Sequence, residues 1–418
     1  MLHTNLKSNN TLILNKHWDA LAVLYQASID HKLPVALWRY PNGDVSQGVV
    51  DLSGTVQPVK IDFTKNTPGF AFAPFVNEGG RETLFINADL YLNRTGLQIF
   101  PTGRDGNSQV ERNKIRFLDT FQDLIANPQR AQVNWFTAPQ SPQVDSISTK
   151  EAFCRLVQDA IAYIQATGIK KIVTSRATET LLPPNFDPVT AFELLCSRYP
   201  HAFVSLVSIP TIGTWLGASP ELLLSLSDQK LCTVALAGTQ AHSPDVPLSA
   251  VHWGTKEIEE QALVSDYIRE FFQQLALSHF VEDGPRTVAA GNVVHLQTKF
   301  EIKLNPAQLL HLANQVLNKL HPTSAVCGMP KKEALSFILE KENYNRSFYS
   351  GFLGPIHLHH QSQLFVNLRC MQLKQDRAVL YVGGGITQDS VPELEWEETV
   401  LKSKTLLAIL QPELAAVN

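Results

Sequence analysis

Between Phe203 and Ala237 the chain offers strand-like runs in quick succession: Phe203 to Ile209, Thr214 to Gly217, Leu222 to Leu226 and Cys232 to Ala237. The gaps are too short for the crossover of a dozen or more residues that a parallel neighbour requires, so successive runs are expected to pair as antiparallel meanders. Segments with helical spacing interrupt the strands without alternating regularly with them: His17 to Asp30, Lys114 to Ile125, Asp187 to Ser197, Thr255 to Leu277, Pro306 to Leu320 and Lys331 to Lys341. Three further strands are expected before a last helix that starts after Ser390 and Pro392. The pattern is α+β with large sheets.

Several boundaries have a local cause. Ser148 with Glu151 makes a capping box, and Phe153, Leu156, Val157, Ala160, Ile161 and Ile164 follow at helical spacing until Gly168. From Ile169 to Ala177 the alternation of a strand puts Lys171, Val173 and Ser175 on one face and Lys170, Ile172 and Thr174 on the other, so one of the two lysines must point inward. On Thr255 to Leu277 the expected inward positions are Ala262, Leu263, Tyr267, Phe271 and Leu275. The Pro, Gln and Ser cluster from Ala138 to Ser146 reads as a loop, either a boundary or a surface connection within one domain.

With 418 residues, 44% of them hydrophobic, the chain can fill one large core or several ordinary ones. A formal charge of -4 with no basic block argues against a nucleic-acid partner. The 5 cysteines are odd in number, scattered and free of CxxC spacing, which fits neither a disulfide framework nor a zinc ribbon and points to a reducing compartment. No signal-peptide pattern and no apolar run of about eighteen residues occurs, so the expectation is a soluble cytoplasmic protein with no membrane contact.

Two acidic patterns stand out. In GGGITQDSVPELEWEETVLK, from Gly383 to Lys402, the glycines let backbone N–H groups approach an anion, and Glu395, Glu398 and Lys402 then project from one helical face. In KEIEE, from Lys256 to Glu260, Glu257 and Glu260 form a second pair at i,i+3. Like charges at this spacing repel. Either the faces are solvated, with Lys402 as the i,i+4 partner of Glu398, or both pairs supply hard oxygens to one Mg²⁺, which takes only one or two carboxylates directly. The HLHH run puts His357 and His359 on one face of an expected strand, without a third ligand at zinc spacing.

Ten short motifs follow one another along the chain: KIVTSR (Lys171 to Arg176), GASPE (Gly217 to Glu221), AGT (Ala237 to Thr239), KEIEE, VHLQT (Val294 to Thr298), LHPTSAVCGMP (Leu320 to Pro330), RSFYSG (Arg346 to Gly351), NLR (Asn367 to Arg369), GGGI (Gly383 to Ile386) and ExxETxxK (Glu395 to Lys402). In this order they resemble the motifs of the chorismate-utilising enzymes, and most closely those of the isochorismate synthases among them. The resemblance implies a single large domain in which two layered antiparallel sheets are flanked by helices, as in anthranilate synthase component I. Residues 1–145 would be a divergent N-terminal part and 146–412 the chorismate-binding core.

The same resemblance implies Mg²⁺, held by Glu260 and Glu398 directly and by Glu257 and Glu395 through water. It gives Lys171 the place of the base that activates water and Glu221 that of the acid that protonates the leaving hydroxyl. Arg369 would clamp the pyruvyl carboxylate of chorismate beside Tyr349 and the N–H groups near Gly384 and Gly385, with Gly238, Thr239, His295 and Lys402 as further contacts. Lysine at 171 argues for water, since ammonia-using relatives carry glutamine there. Ala325 stands where pyruvate-eliminating relatives carry threonine, and Gly384 stands at the middle of a turn where relatives usually have alanine, which makes that loop softer. The expectation is an isomerase making isochorismate with no obligatory protein partner. The alternatives are a salicylate synthase, an ammonia-using anthranilate or aminodeoxychorismate synthase, and a silent binding relative.

Overall fold

Two antiparallel sheets packed face to face carry the molecule. The computed structural model describes residues 11–12, 17–76, 83–101, 108–127, 134–138, 149–243, 245–277, 279–290 and 293–411. The larger sheet has 11 strands, in the order Thr11–Leu12, Gly96–Ile99, Leu90–Asn93, Gln47–Val50, Val35–Arg39, Phe203–Ile209, Gly213–Ser219, Cys370–Leu373, Arg377–Ile386, Lys171–Leu181 and Gly328–Met329. The smaller has 9, in the order Val281–Ala290, Val293–Ile302, Leu231–Ala241, Leu222–Ser227, Gln361–Val366, Phe352–Ile356, Gly69–Ala73, Thr83–Asn87 and Pro58–Val59. Val35–Arg39 pairs with Phe203–Ile209, and Gly69–Ala73 with Phe352–Ile356, so N-terminal segments are woven into both sheets.

Alternation along the strands builds the layers. In Val35–Arg39, Ala36 and Trp38 face the other sheet while Val35 and Leu37 face helices, and all four are fully buried. Between the sheets, Phe203 stacks on Phe365 with ring centres 4.1 Å apart and Trp38 packs on Phe70 at 5.3 Å. Helices His17–Asp30, Ser108–Ala126 and Pro188–Arg198, with the end of Pro392–Leu410, cover the outer face of the larger sheet. Thr255–Gln274 and Pro306–Leu320 pack on the smaller sheet, while Lys150–Thr167 and Lys331–Lys341 pack against the Lys171–Leu181 end of the larger and share the same core. The result is one domain of the expected α+β class. Among the described residues no helix is long and apolar enough to cross a membrane, and the cysteines are free and buried.

Some expectations need correction. Ser148 lies outside the described residues, as does most of the Ala138 to Ser146 cluster; the observed cap of Lys150–Thr167 is Thr149, whose hydroxyl accepts from the Ala152 N–H at 3.2 Å. Helix Thr255–Gln274 buries Gln261, Val264, Ser265, Ile268, Phe271 and Phe272; of the expected stripe Phe271 is buried and Tyr267 and Leu275 pack half-buried against the core, while Ala262 is exposed and Leu263 only half-buried. The cause is polar: the Gln261 amide donates to Ala235 O at 3.2 Å and to Thr298 Oγ1 at 3.0 Å, so a glutamine takes a core position. That rotation turns Glu257 and Glu260 toward the sheet. The segment after Lys331–Lys341 holds four strands instead of three: Phe352–Ile356, Gln361–Val366, Cys370–Leu373 and Arg377–Ile386. His357, His359 and His360 sit in the turn after the first of these with left-handed φ of 54°, 50° and 58°, so they do not share a strand face.

Candidate active site

The strand Lys171–Leu181 is paired along its length with Arg377–Ile386, and at its start with Gly328–Met329. Lys171 is the inward lysine of its pair, 1% exposed, while Lys170 faces solvent. Its Nζ donates to Glu260 Oε1 at 2.7 Å. Burial pushes the Glu260 carboxyl up, but the Lys171 ammonium, helped by Lys402 and Lys256, outweighs it and holds the group below the ordinary glutamate range. The glycine run is not a loop: Gly383 to Gly385 lie in the strand opposite Ser175, Thr174 and Val173. Glycine is needed there for room, because a Cβ on Gly385 would lie 2.6 Å from Lys171 Cε and 2.8 Å from Glu260 Oε1.

Three of the four glutamates, Glu260, Glu395 and Glu398, meet at these glycines. A Cβ on Gly384 would lie 3.3 Å from Glu395 Oε2 and 3.5 Å from Glu398 Oε1, next to the Glu260 contact at Gly385. Each of the three has its own lysine. Glu398 Oε1 accepts from Lys402 at 2.6 Å, Glu395 Oε1 accepts from Lys256 at 2.7 Å, and Lys402 also donates to Gly383 O at 2.9 Å. Glu395 is buried, and its Oε2 has no hydrogen-bond partner. Burial first, then the Glu398 charge, pushes the Glu395 carboxyl up against the opposing pull of Lys256. Glu257 lies at the helix start, its Oε2 beside Gly254.

A buried, unpartnered carboxylate oxygen beside two further carboxylates is an unbalanced arrangement that a hard divalent cation would relieve, and an all-oxygen donor set suits Mg²⁺. Among the described residues no group of three or more His, Cys, Asp or Glu side chains is placed to hold a metal ion. An ion here would take one or two carboxylates directly, beside the unpartnered Glu395 oxygen, with its remaining positions left to water and substrate.

Across the cleft, Glu221 precedes the strand Leu222–Ser227 and is 3% exposed. Burial raises its pKa from 4.5 to about 7, against the opposing effects of Thr323 Oγ1, which donates to Oε1 at 3.1 Å, and of the Lys171 charge. His295 is buried and held neutral, its pKa lowered to about 3 by desolvation and then by Arg369. Its Nδ1 lies 2.9 Å from Gly238 O, an acceptor, so Nδ1 carries the proton and Nε2 faces Arg369 Nη2 at 3.5 Å as an acceptor. Arg369 itself is buried, its pKa lowered to about 10 by desolvation, and its Nη1 has no partner. An unpartnered guanidinium nitrogen in a cleft wall is a waiting anion contact.

Glu221, Gly238, Thr239, Glu260, His295, Ala325, Tyr349, Arg369, Gly384, Gly385, Glu398 and Lys402 all line this one cleft, which encloses about 650 Å³ including its open mouth. Lys171 reaches it through Glu260. Glu257 and Glu395 stand behind the lining. Two further site residues carry no signal of their own in the sequence, although both lie inside quoted motifs: Thr323, which hydrogen-bonds Glu221, and Lys256, which pairs with Glu395.

Fold and cleft together define an enzyme that receives an anionic small molecule between two layered sheets. The sequence profile described as chorismate binding enzyme matches residues 98–411, and the chain belongs to that family. Among its relatives, the isochorismate synthase EntC of Escherichia coli is 28% identical over 299 residues, covering 70% of this chain and 76% of that protein. The vibriobactin-specific isochorismate synthase of Vibrio cholerae is 28% identical over 280 residues, covering 66% of this chain and 70% of that protein. Among solved structures, the menaquinone-specific isochorismate synthase MenF of Escherichia coli superposes with a TM-score of 0.72 at 23% identity, covering 96% of this chain and 93% of that one.

Proposed function

We propose that the protein is an Mg²⁺-dependent isochorismate synthase, converting chorismate to isochorismate by addition of water at C2 and loss of the C4 hydroxyl. One observation carries the reading: the cleft is lined by a buried glutamic acid, Glu221, whose pKa is raised to about 7, and by Glu260, which holds the buried Lys171 at 2.7 Å. Water is a poor nucleophile and hydroxide a poor leaving group, so the exchange needs a base at one end of the ring and a protonated acid at the other. Lys171, as the free amine left once the ammonium paired with Glu260 has given up a proton, removes a proton from the attacking water, and Glu221 donates one to the departing hydroxyl. One water enters and one leaves, so the substrate is isomerised.

Arg369 donates through its unpartnered Nη1 to the pyruvyl carboxylate, and neutral His295 holds the guanidinium in place. Tyr349, kept protonated by a pKa raised to about 12 through burial, is a donor beside it. Glu260 and Glu398 would hold the metal directly, with Glu257 and Glu395 supporting it through water. When bound, Mg²⁺ neutralises the ring carboxylate and stabilises charge that develops there. Ala325 leaves the cleft wall without a hydroxyl, which favours release of isochorismate over elimination of pyruvate.

Incubating the purified protein with chorismate and Mg²⁺ tests this, with products resolved by chromatography. Isochorismate is expected, and chelation with EDTA is expected to remove the activity. Salicylate with stoichiometric pyruvate, and no added lyase, would overturn the isomerase reading. Anthranilate formed in the presence of ammonium would overturn the choice of water.

A further inference from the structure

The strand that carries Lys171 has an incomplete edge. On one side it is paired as far as Leu181, but on the other its partner Gly328–Met329 reaches only Lys171 and Ile172, with Cys327 O accepting from the Val173 N–H at 3.0 Å. Beyond this point the edge is buried, and its backbone groups need other partners. Two side chains supply them. Glu342 Oε1 accepts from the Ser175 N–H at 2.7 Å and from its hydroxyl at 3.0 Å, while Arg346 Nη2 donates to Val173 O at 2.7 Å. Glu342 and Arg346 are paired with each other, Nε to Oε2 at 2.7 Å and Nη2 to Oε1 at 2.5 Å, and each side chain is 2% exposed.

The guanidinium has a third direction. Its Nη1 donates to Val326 O at 2.9 Å, in the turn where Thr323 O accepts from the Val326 and Cys327 N–H groups. That turn carries Ala325 in the cleft wall and Thr323, whose hydroxyl bonds Glu221. One planar, rigid group thus ties the strand bearing Lys171 to the turn that orients Glu221. An ion pair taken this far out of water is a costly way to gain stability alone, since apolar residues of the same volume often stabilise as well or better. Its fixed fork geometry is what apolar residues cannot reproduce.

We propose that Glu342 and Arg346 are positioning residues that set the placement of Lys171 relative to Glu221 by completing the strand edge and anchoring the Thr323–Cys327 turn to it. The inference rests on the assignment of Lys171 and Glu221 as base and acid. A shift of about 1 Å between reacting groups can cost about 10²-fold in rate, with substrate binding little changed.

The test is a steady-state comparison on the full chain with chorismate and Mg²⁺, alongside thermal melts that give the folded fraction. Glu342→Met/Arg346→Met keeps the volume buried while removing every contact to Val173, Ser175 and Val326. Expected are a cooperative melt, a kcat lowered by about 10²-fold per folded molecule and a KM within about threefold of wild type. A purely structural pair would lower only the folded fraction, so wild-type kcat after that correction overturns the proposal. Arg346→Lys covers the case in which the double variant does not fold: one ammonium cannot serve both carbonyls and Glu342, and kcat is expected to fall about tenfold at unchanged KM. An unchanged kcat overturns the proposal here too. Tyr344→Phe removes only the hydroxyl 2.5 Å from Ser175 Oγ and should change kcat less than about twofold; a tenfold loss in that variant would assign the effect to the Ser175 side chain and overturn the role given to the pair. If Lys171→Ala retains turnover, the underlying assignment has failed. If Lys171→Ala is inactive while the pair variants match wild type, only this inference has.

Discussion

Lys171→Ala is expected to lower isochorismate formation by roughly 10³-fold or more, with the remaining protein folded and able to take up chorismate. The amine is 1% exposed and bonded to Glu260, so no solvent group can take its place. Truncation also strips Glu260 of its nearest cation, and breaking a buried pair by removing one partner costs about 3–5 kcal/mol in typical cases. Lys402 and Lys256 also act on Glu260 and should soften that cost. Activity must therefore be reported per folded molecule, from circular dichroism melts run beside the assay. Lys171→Gln separates the roles further, because glutamine can still donate a hydrogen bond to Glu260 but cannot serve as a base. If the lysine serves only to hydrogen-bond Glu260, the glutamine variant keeps most of its turnover, and the assignment of Lys171 as base is wrong.

The sheets and most helices were legible because their signals are local. Asp187 caps Pro188–Arg198 by accepting from the Val189 and Thr190 N–H groups, and Gly168 ends its helix at a φ of 71°, both as the residue types dictate. What failed depended on tertiary partners. The face of Thr255–Gln274 was misjudged because Gln261 and Ser265 are buried, the glutamine satisfied by Ala235 and Thr298 from neighbouring strands. Hydrophobic periodicity cannot register a polar residue whose partners lie elsewhere in the chain. The glycine run suggested a loop because glycine permits one, whereas the actual demand is volume beside Lys171. Within the site, motif order pointed to residues from nine of the quoted motifs that the fold does bring to one cleft, but no motif reveals that Thr323 bonds Glu221 or that Lys256 stands against Glu395.

Glu221→Gln is expected to lose roughly 10³-fold in turnover and, above neutral pH, to be more stable than the wild type. Both effects come from one property, the pKa raised from 4.5 to about 7 by burial. The donor is competent while protonated, so wild-type kcat/KM should decline as pH rises through about 7, and the glutamine variant should lack that limb in whatever activity remains. The stability effect has a definite sign. Because the folded-state pKa lies above the unfolded one, the protonated carboxyl contributes stability that is fully present below 4.5 and lost as pH rises through about 7. At roughly 1.4 kcal/mol per pKa unit, the wild type gives up on the order of 3 kcal/mol across this window, while a neutral amide gives up none. Urea denaturation at pH 5 and pH 8 measures the difference: the variant should gain on the wild type by about 2–3 kcal/mol between the two conditions. A glutamate ionised at neutral pH and held by Thr323 alone would show no such gain, and the assignment of Glu221 as the acid would fall with it.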